Sequence, residues 1–254
     1  MITTRDAFLG GRLQILQPRD GYRAATDPVF LAAACPAQPG ERVLELGCGV
    51  GTAALCLAAR VGGLRLVGVE RQEAYADLAR KNAEAAGVTM EVVTADLTAL
   101  PPALRQLSFD HVLANPPYFT AGDGTGAQDA GREAANRAET PLSDWIGVAR
   151  ARLKPQGWLT LIHLAERLPD CLSLLCDGFG AVTVLPIQPR PGRAANRVLI
   201  RARKGAKTPF RLLPPLLVHD AASHPGDHPD FTATAEAVLR QAAPIPFDLS
   251  IPGI

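Results

Sequence analysis

An α/β fold built on a mostly parallel sheet follows from three features of this sequence. Short runs rich in Val, Leu and Ile, at residues 42–46, 64–70, 89–94 and 109–114, alternate with longer helix-like stretches such as 53–60 and 72–86. Between the first run and the helix after it stand Gly47, Gly49 and Gly51, the strand–turn–helix order of a ligand-binding βα unit. The next three runs end at or just before Glu70, Asp96 and Asn115, so polar side chains gather where strands stop. Alternation of this kind gives parallel strands with right-handed crossovers, and ligands bind outside the carboxyl ends of such strands.

A chain of 254 residues is long enough for one large α/β domain or two small ones. Hydrophobic residues make up 47% and the formal net charge is +1, the composition of a globular protein with no bulk attraction to a polyanion. Residues 1–20 lack an apolar leader core and no later stretch is long and apolar enough to span a membrane, so the sequence reads as cytoplasmic. The five cysteines, Cys35, Cys48, Cys56, Cys171 and Cys176, are odd in number and form no Cys-x-x-Cys pair. They read as buried free thiols, with neither a disulfide nor a metal site expected.

In chain order, residues 13–16 suggest a short strand and 29–34 a helix. Asp27 and Pro28 suit the N-cap and the first helical position of that helix. Tyr22, Arg23 and Thr26 lie in the loop before it, which is able to fold over a ligand held elsewhere. The glycine turn resembles a dinucleotide fingerprint, but the third glycine of that pattern falls on Thr52 and a carboxylate, Glu45, stands two positions before Gly47. A pyrophosphate is repelled by that charge and a sulfonium is attracted, which favours a sulfonium nucleoside over NAD. Glu70, nineteen residues after Gly51, suits ribose hydroxyls. Gly87 closes the long helix after it, and Asp96 serves equally as a cap of the next turn or as a contact for an adenine edge.

Asn115-Pro116-Pro117-Tyr118 begins where the strand 109–114 ends. Two successive prolines remove two backbone donors, leaving the Asn115 side-chain carbonyl and the Pro116 main-chain carbonyl as neighbouring acceptors for an amino group with two hydrogens. Tyr118 adds a flat face for stacking on a planar group.

In this order and spacing, Glu45 to Gly51, Glu70, Asp96 and Asn115-Pro116-Pro117-Tyr118 resemble the motifs of class I S-adenosylmethionine-dependent amino-methyltransferases over residues 41–163. Within them, Tyr22-Arg23, Thr26-Asp27 and the stretch 196–220 resemble the bacterial family that N6-methylates an adenine beside the anticodon of a valine tRNA. The resemblance implies a Rossmann-like domain of seven strands, mostly parallel with the last antiparallel, and helices on both faces. It spans residues 1–254 as one domain: 1–40 cover the substrate and cofactor, 41–203 form the core, and 204–254 extend it. It also implies S-adenosyl-L-methionine as cofactor. Gly47, Gly49 and Gly51 would line its methionine part, Glu45 would meet its amino group, Glu70 its ribose and Asp96 its adenine, with Arg23, Thr26 and Asp27 covering it. Asn115 and Pro116 would hold the target amine while Tyr118 stacks on its ring, flanked by Pro117 and Phe119. Family members commonly carry an aspartate where this chain has Glu45, and the longer side chain asks for a small shift of the loop.

An exocyclic base amine is a poor nucleophile because its lone pair is delocalised into the ring. Two acceptors drawing on its hydrogens favour a tetrahedral nitrogen, which the site need only align with an activated methyl. A paired base must first be extruded. Rival readings are methylation of a glutamine amide or of guanine N2, a non-catalytic RNA-binding module, and, least favoured, an NAD dehydrogenase. The sequence leaves open a monomer or a dimer.

Residues 120–139 are rich in Gly and Ala and read equally as a lid or as a surface insertion, with Arg132 and Arg137 as phosphate contacts. Helix, strand and helix follow at 142–152, 158–163 and 165–177, and His163 reads as structural. Between Asp177 and Asp220 lie eight basic residues and no acidic one, among them Arg190, Arg193 and Arg197. Alternation on a strand would align Arg197, Arg201 and Arg203 as a band for RNA, or as arginines guarding a sheet edge. His219, His224 and His228 with Asp220, Asp227 and Asp230 read as a flexible polar loop before a last helix, 233–241.

Overall fold

The computed structural model describes residues 1–118, 140–223 and 230–247. Strands β1 (Thr3–Phe8) and β2 (Leu13–Pro18) form an antiparallel hairpin of their own. Then come α1 (Asp27–Ala34), β3 (Arg42–Leu46), α2 (Thr52–Arg60), β4 (Arg65–Glu70), α3 (Glu73–Ala85) and β5 (Met90–Thr94). The short α4 (Pro102–Arg105) leads to β6 (Phe109–Ala114), and α5 (Leu142–Arg152) runs directly into β7 (Leu153–Leu164). The described chain closes with α6 (Leu168–Leu175), β8 (Phe179–Gln188), β9 (Arg197–Lys204), the two-residue strands β10 (Arg211–Leu212) and β11 (Leu216–Leu217), and α7 (Ala233–Gln241).

The main sheet runs β10-β8-β9-β7-β6-β3-β4-β5, with β11 also on β8. Seven of its strands, β3 to β9, form the expected Rossmann-like core: β3 to β7 pair in parallel, and β9 is antiparallel to both β7 and β8. The strand count is larger than seven because β10 and β11 add short parallel pairings to β8. Alternate residues face opposite sides, as the pleat requires. Val43, Leu66 and Leu113 join one core with α1, α2, α3 and α7, while Leu44, Val67 and Val112 join another with α4, α5 and α6.

Register decides what meets at the carboxyl edge. Leu46 pairs with Val69 on one side and Ala114 on the other, and Glu70 pairs with Thr94. The residues that follow, Gly47, Asp96 and Asn115, therefore emerge along one edge beside Glu70. The chain order reverses between β3 and β6, so this edge contains the crevice where open α/β sheets bind ligands. The antiparallel β9 starts at that same edge, with Arg197 opposite Leu164, the last residue of β7.

Three expectations are corrected here. Arg201 is only 8% exposed, because β9 lies between β7 and β8 and the guanidinium packs 5.0 Å from the Trp158 ring and 4.7 Å from that of Phe247. Arg201 and Arg203 do share one face, over Trp158, but with Arg201 buried and β9 paired on both sides there is neither an exposed three-arginine band nor a guarded edge on this strand. Arg190 is taken up by Asp230 and by the carbonyls of Ala221 and Ser223, and His219 bonds Asp230 as well, so both described ends of the polar loop are pinned. Cys176 is exposed, whereas the other four cysteines are buried; all five are free. Among the described residues no helix is long and apolar enough to cross a membrane. Phe119, Arg132, Arg137, His224, Asp227 and His228, together with the proposed lid at 120–139, lie outside the described residues.

Candidate active site

A cavity of about 500 Å³ opens at the carboxyl edge of the sheet. Glu45, Gly47 and Gly49 from the first βα unit line it, as do Glu70, Asp96, and the whole of Asn115-Pro116-Pro117-Tyr118. Gly47 has φ +61, and a Cβ there would lie 2.4 Å from Cη2 of Trp145, so the turn needs glycine for conformation and for space alike. Gly51 does not line the cavity. It starts α2 and faces Ala79 of α3, where a Cβ would come within 3.4 Å, so its role is close packing of helix on helix.

Glu70 holds the turn in shape by accepting from the backbone N–H of Gly49 at 3.0 Å and of Gln72 at 2.9 Å. Glu45 is only 4% exposed, and one of its oxygens accepts from the Ala54 N–H at the start of α2, 2.9 Å away. The longer side chain is thus accommodated by anchoring on the helix. Burial, with the nearby Glu70 charge adding to it, pushes the Glu45 carboxyl up to about 8 despite that bond. Thr52 Oγ1, also in the cavity wall, is buried with no hydrogen-bond partner among the described residues. A buried acid short of positive charge and an orphan hydroxyl fit a ligand that is cationic and polar at this end. Asp96 caps the short turn at Leu97–Ala99 through the Thr98 N–H, 2.8 Å, as one of its readings expected, and it also lines the cavity. Its bonds from the Thr98 hydroxyl and N–H hold it below the usual carboxylate range.

At the other end, the Tyr118 hydroxyl bonds the Asp27 carboxylate and lies 3.1 Å from Asn115 Oδ1. Arg197 Nε donates to the same Asp27 oxygen at 3.1 Å, and its guanidinium covers the Tyr118 ring 4.5 Å from the centroid. His163 sits tilted against Tyr118, with ring centroids 5.6 Å apart. Burial and the neighbouring Arg167 and Arg197 push the His163 imidazole down to about 4, so it stays neutral and its Nδ1 accepts from the Leu164 N–H. That agrees with a structural role.

The opening segment departs from expectation. Thr26, not Asp27, occupies the cap position of α1, and its side chain makes no capping bond; Asp27 turns instead to Tyr118 and Arg197. Arg23 points away from the cavity to Asp6, Thr4 and the Pro18 carbonyl, and neither it nor Thr26 lines the cavity. Tyr22 does line it, 47% exposed, with its hydroxyl 3.5 Å from Asn115 Nδ2. It is held by the Tyr75 hydroxyl at its backbone N–H, 3.1 Å, and, two residues on, by Gln17, whose buried amide pins Ala24 at both N–H and carbonyl. Trp145 and Thr52 are site residues that sequence reasoning missed. Nothing in a lone Trp on a helix after a long loop signals that it will close over Gly47.

The fold and this edge define an S-adenosylmethionine-dependent methyltransferase of class I. The methyltransferase domain family matches residues 43–136. The chain is 31% identical over 234 residues to a tRNA1(Val) (adenine(37)-N6)-methyltransferase of Porphyromonas gingivalis, covering 86% of this chain and 90% of that one. It is 32% identical over 190 residues to the enzyme of that name from Aeromonas hydrophila, covering 74% and 79%. The chain belongs to the tRNA1(Val) (adenine(37)-N6)-methyltransferase family. Among solved structures, it resembles Atu636 from Agrobacterium tumefaciens, described as a predicted O-methyltransferase, with TM-score 0.69, 28% identity, and 86% and 98% of the two chains covered. The T. thermophilus 16S rRNA N2 G1207 methyltransferase, solved with AdoMet and guanosine, shares the fold at TM-score 0.56 and 23% identity, covering 80% of this chain and 50% of that one.

Proposed function

We propose that this protein, acting as one domain, binds S-adenosyl-L-methionine in the cavity at the carboxyl edge and methylates N6 of an adenine in tRNA. The observation that carries the reading is the single cavity lined by both the glycine turn and Asn115-Pro116-Pro117-Tyr118. The names of its relatives support the RNA substrate.

S-adenosylmethionine supplies, when bound, a methyl group activated by a sulfonium. Glu45 and Thr52 offer a carboxylate and a hydroxyl to its amino-acid part, Glu70 offers carboxylate oxygens to its ribose, and Asp96 accepts from its adenine amine. Trp145 closes over Gly47 and keeps water from that end. Asn115 Oδ1 and the Pro116 carbonyl accept the two hydrogens of the target amine, draw its nitrogen out of conjugation and aim its lone pair into the cavity. Tyr22, and the face of Tyr118 that Arg197 does not cover, offer flat surfaces for the extruded base, each stack contributing about 1–3 kcal/mol. The amine nitrogen becomes acidic only after it is methylated, so its proton leaves to solvent and no general base is required. Arg193, exposed beyond β8, is available as a phosphate contact, whereas Arg197 is engaged by Asp27 and the Tyr118 ring.

The test uses methyl-labelled S-adenosylmethionine, purified protein and RNA from a strain lacking the gene, followed by nucleoside digestion. Label in N6-methyladenosine of the tRNA fraction is expected. Label in N2-methylguanosine, or in protein alone, overturns the adenine assignment.

A further inference from the structure

Asp27 has no place in the methyl-transfer scheme above, yet it is the hub of the polar contacts around Tyr118. Two elements distant in sequence meet there: α1 supplies Asp27 and the start of β9 supplies Arg197, whose Nε lies 3.1 Å from the carboxylate. Their common target is the Tyr118 hydroxyl.

Hydrogen counting gives this cluster a function. Tyr118 has one hydroxyl hydrogen and two side-chain neighbours able to accept it, Asp27 and Asn115. If the hydrogen goes to Asn115 Oδ1, 3.1 Å away, it takes one of that oxygen's two lone pairs and holds the carbonyl toward Tyr118, where the target amine needs it turned to the cavity. If it goes to Asp27, Tyr118 can meet Asn115 only as an acceptor. The amide, whose two ends are alike in shape, then turns its NH2 toward Tyr118 and its carbonyl toward the cavity, 3.5 Å from the Tyr22 hydroxyl, a separation too long for a bond that would hold it from a substrate amine. A charged acceptor makes the stronger bond, and of the two it is Asp27 that is paired with a guanidinium, Arg197 Nε at 3.1 Å. Burial and the adjacent Asp27 hold the Tyr118 hydroxyl protonated well beyond any working pH, so the hydrogen is always present to be directed.

We propose that Asp27 is a positioning residue: by taking the Tyr118 hydrogen, with Arg197 fixing its carboxylate, it sets the Asn115 amide with its carbonyl free for the substrate amine. This rests on the assignment of Asn115 as the amine acceptor.

The experiment is a cycle of Asp27→Ala, Tyr118→Phe and the double variant, with kcat, substrate KM and cofactor affinity measured for each. Asp27→Ala is expected to lower kcat about tenfold or more while cofactor affinity stays within about twofold, which also reports an intact fold. The double variant should be no slower than Asp27→Ala alone, because without the hydroxyl there is no hydrogen left to misdirect. Asp27→Asn keeps the shape but offers only a neutral acceptor, no stronger than Asn115, so it should be nearly as slow as Asp27→Ala; it also serves as the readout if Asp27→Ala fails to fold. Losses that multiply in the double variant, or an Asp27→Ala enzyme as fast as the parent, overturn the proposal while leaving the methyltransferase reading intact. A parent enzyme that methylates no RNA amine would instead overturn the reading on which it rests.

Discussion

Leu46 and Ala114 pair across the parallel strands β3 and β6, and the next residue on each strand, Gly47 and Asn115, lines the same cavity. One register thereby joins the glycine turn to the amine-binding motif. Two halves of a transfer reaction need this closeness, since alignment of the reacting groups supplies much of the rate when the nucleophile is weak.

Removal of Asn115 and removal of Glu70 should separate the two halves. Asn115→Ala takes away an acceptor aimed at the reacting amine, and kcat should fall by roughly 10²–10³, as for loss of one oriented polar group in a dry site. Cofactor affinity should hardly change. Glu70→Ala frees the Gly49 and Gln72 amides and should weaken cofactor binding tenfold or more, about 1.4 kcal/mol or beyond. Calorimetric titration alongside steady-state kinetics checks the pair, and matching effects from both variants would contradict the division.

Glu45 should make cofactor affinity depend on pH. Its carboxyl, pushed up to about 8 by burial and Glu70, is protonated in the free protein at neutral pH, whereas a cationic ligand favours the ionised form. Binding then releases a proton below about pH 8, so affinity should rise with pH up to that value and level off above it. The same shift makes Glu45 favour the folded state below its ordinary range, a contribution that fades as pH rises through about 8. Titrations at pH 7 in two buffers of different ionisation enthalpy should detect proton release, and Glu45→Gln should abolish the part that Glu45 supplies. An unchanged release in that variant would place the titrating group elsewhere.

Gly47→Ala tests the fit between the turn and α5. The added Cβ lies 2.4 Å from the Trp145 ring, and at φ +61 alanine also costs about 1–2 kcal/mol. The indole is tethered by its Nε1 to the Thr140 carbonyl at 3.2 Å, so it cannot yield without breaking that bond. Cofactor affinity should drop at least tenfold, and Trp145→Leu in the Gly47→Ala background should recover part of the loss. If the second substitution recovers nothing, backbone strain and not the clash sets the defect.

How much of this was legible in the sequence differs by element. The strand ends carrying Gly47, Glu70, Asp96 and Asn115 were readable because each combines an apolar run with an abrupt change to glycine or polar residues. β1 was not, since Thr3-Thr4-Arg5-Asp6-Ala7-Phe8 is half polar and gains its strand character only by pairing with β2. Arg201 misled because its cover, Trp158 and Phe247, comes from far along the chain, and alternation cannot tell a central strand from an edge. Asp27 was placed in the right neighbourhood for the wrong reason. Its cap signal was local, and its partners, Tyr118 and Arg197, are 91 and 170 residues away.

Asn82 carries the last prediction, because it joins the hairpin to the core. Its buried amide accepts from the Leu16 N–H at 2.8 Å and donates to the carbonyls of Leu16 and Val50, each at 3.0 Å. No apolar side chain can replace three bonds of that geometry, and Asn82→Ala leaves buried backbone groups of β2 unpaired. The expected destabilisation is about 2–4 kcal/mol, or roughly 5–10 °C in Tm for a chain of this length. Hydrogen exchange should show more: the amides of β2 should lose protection before those of β3, since the hairpin pairs with no strand of the main sheet. Because Gln17 on β2 pins Ala24, loosening the hairpin should also release Tyr22 from the cavity mouth and slow methyl transfer without abolishing it. A variant with the parent's Tm and unchanged β2 protection would mean that the hairpin is held by its apolar contacts alone.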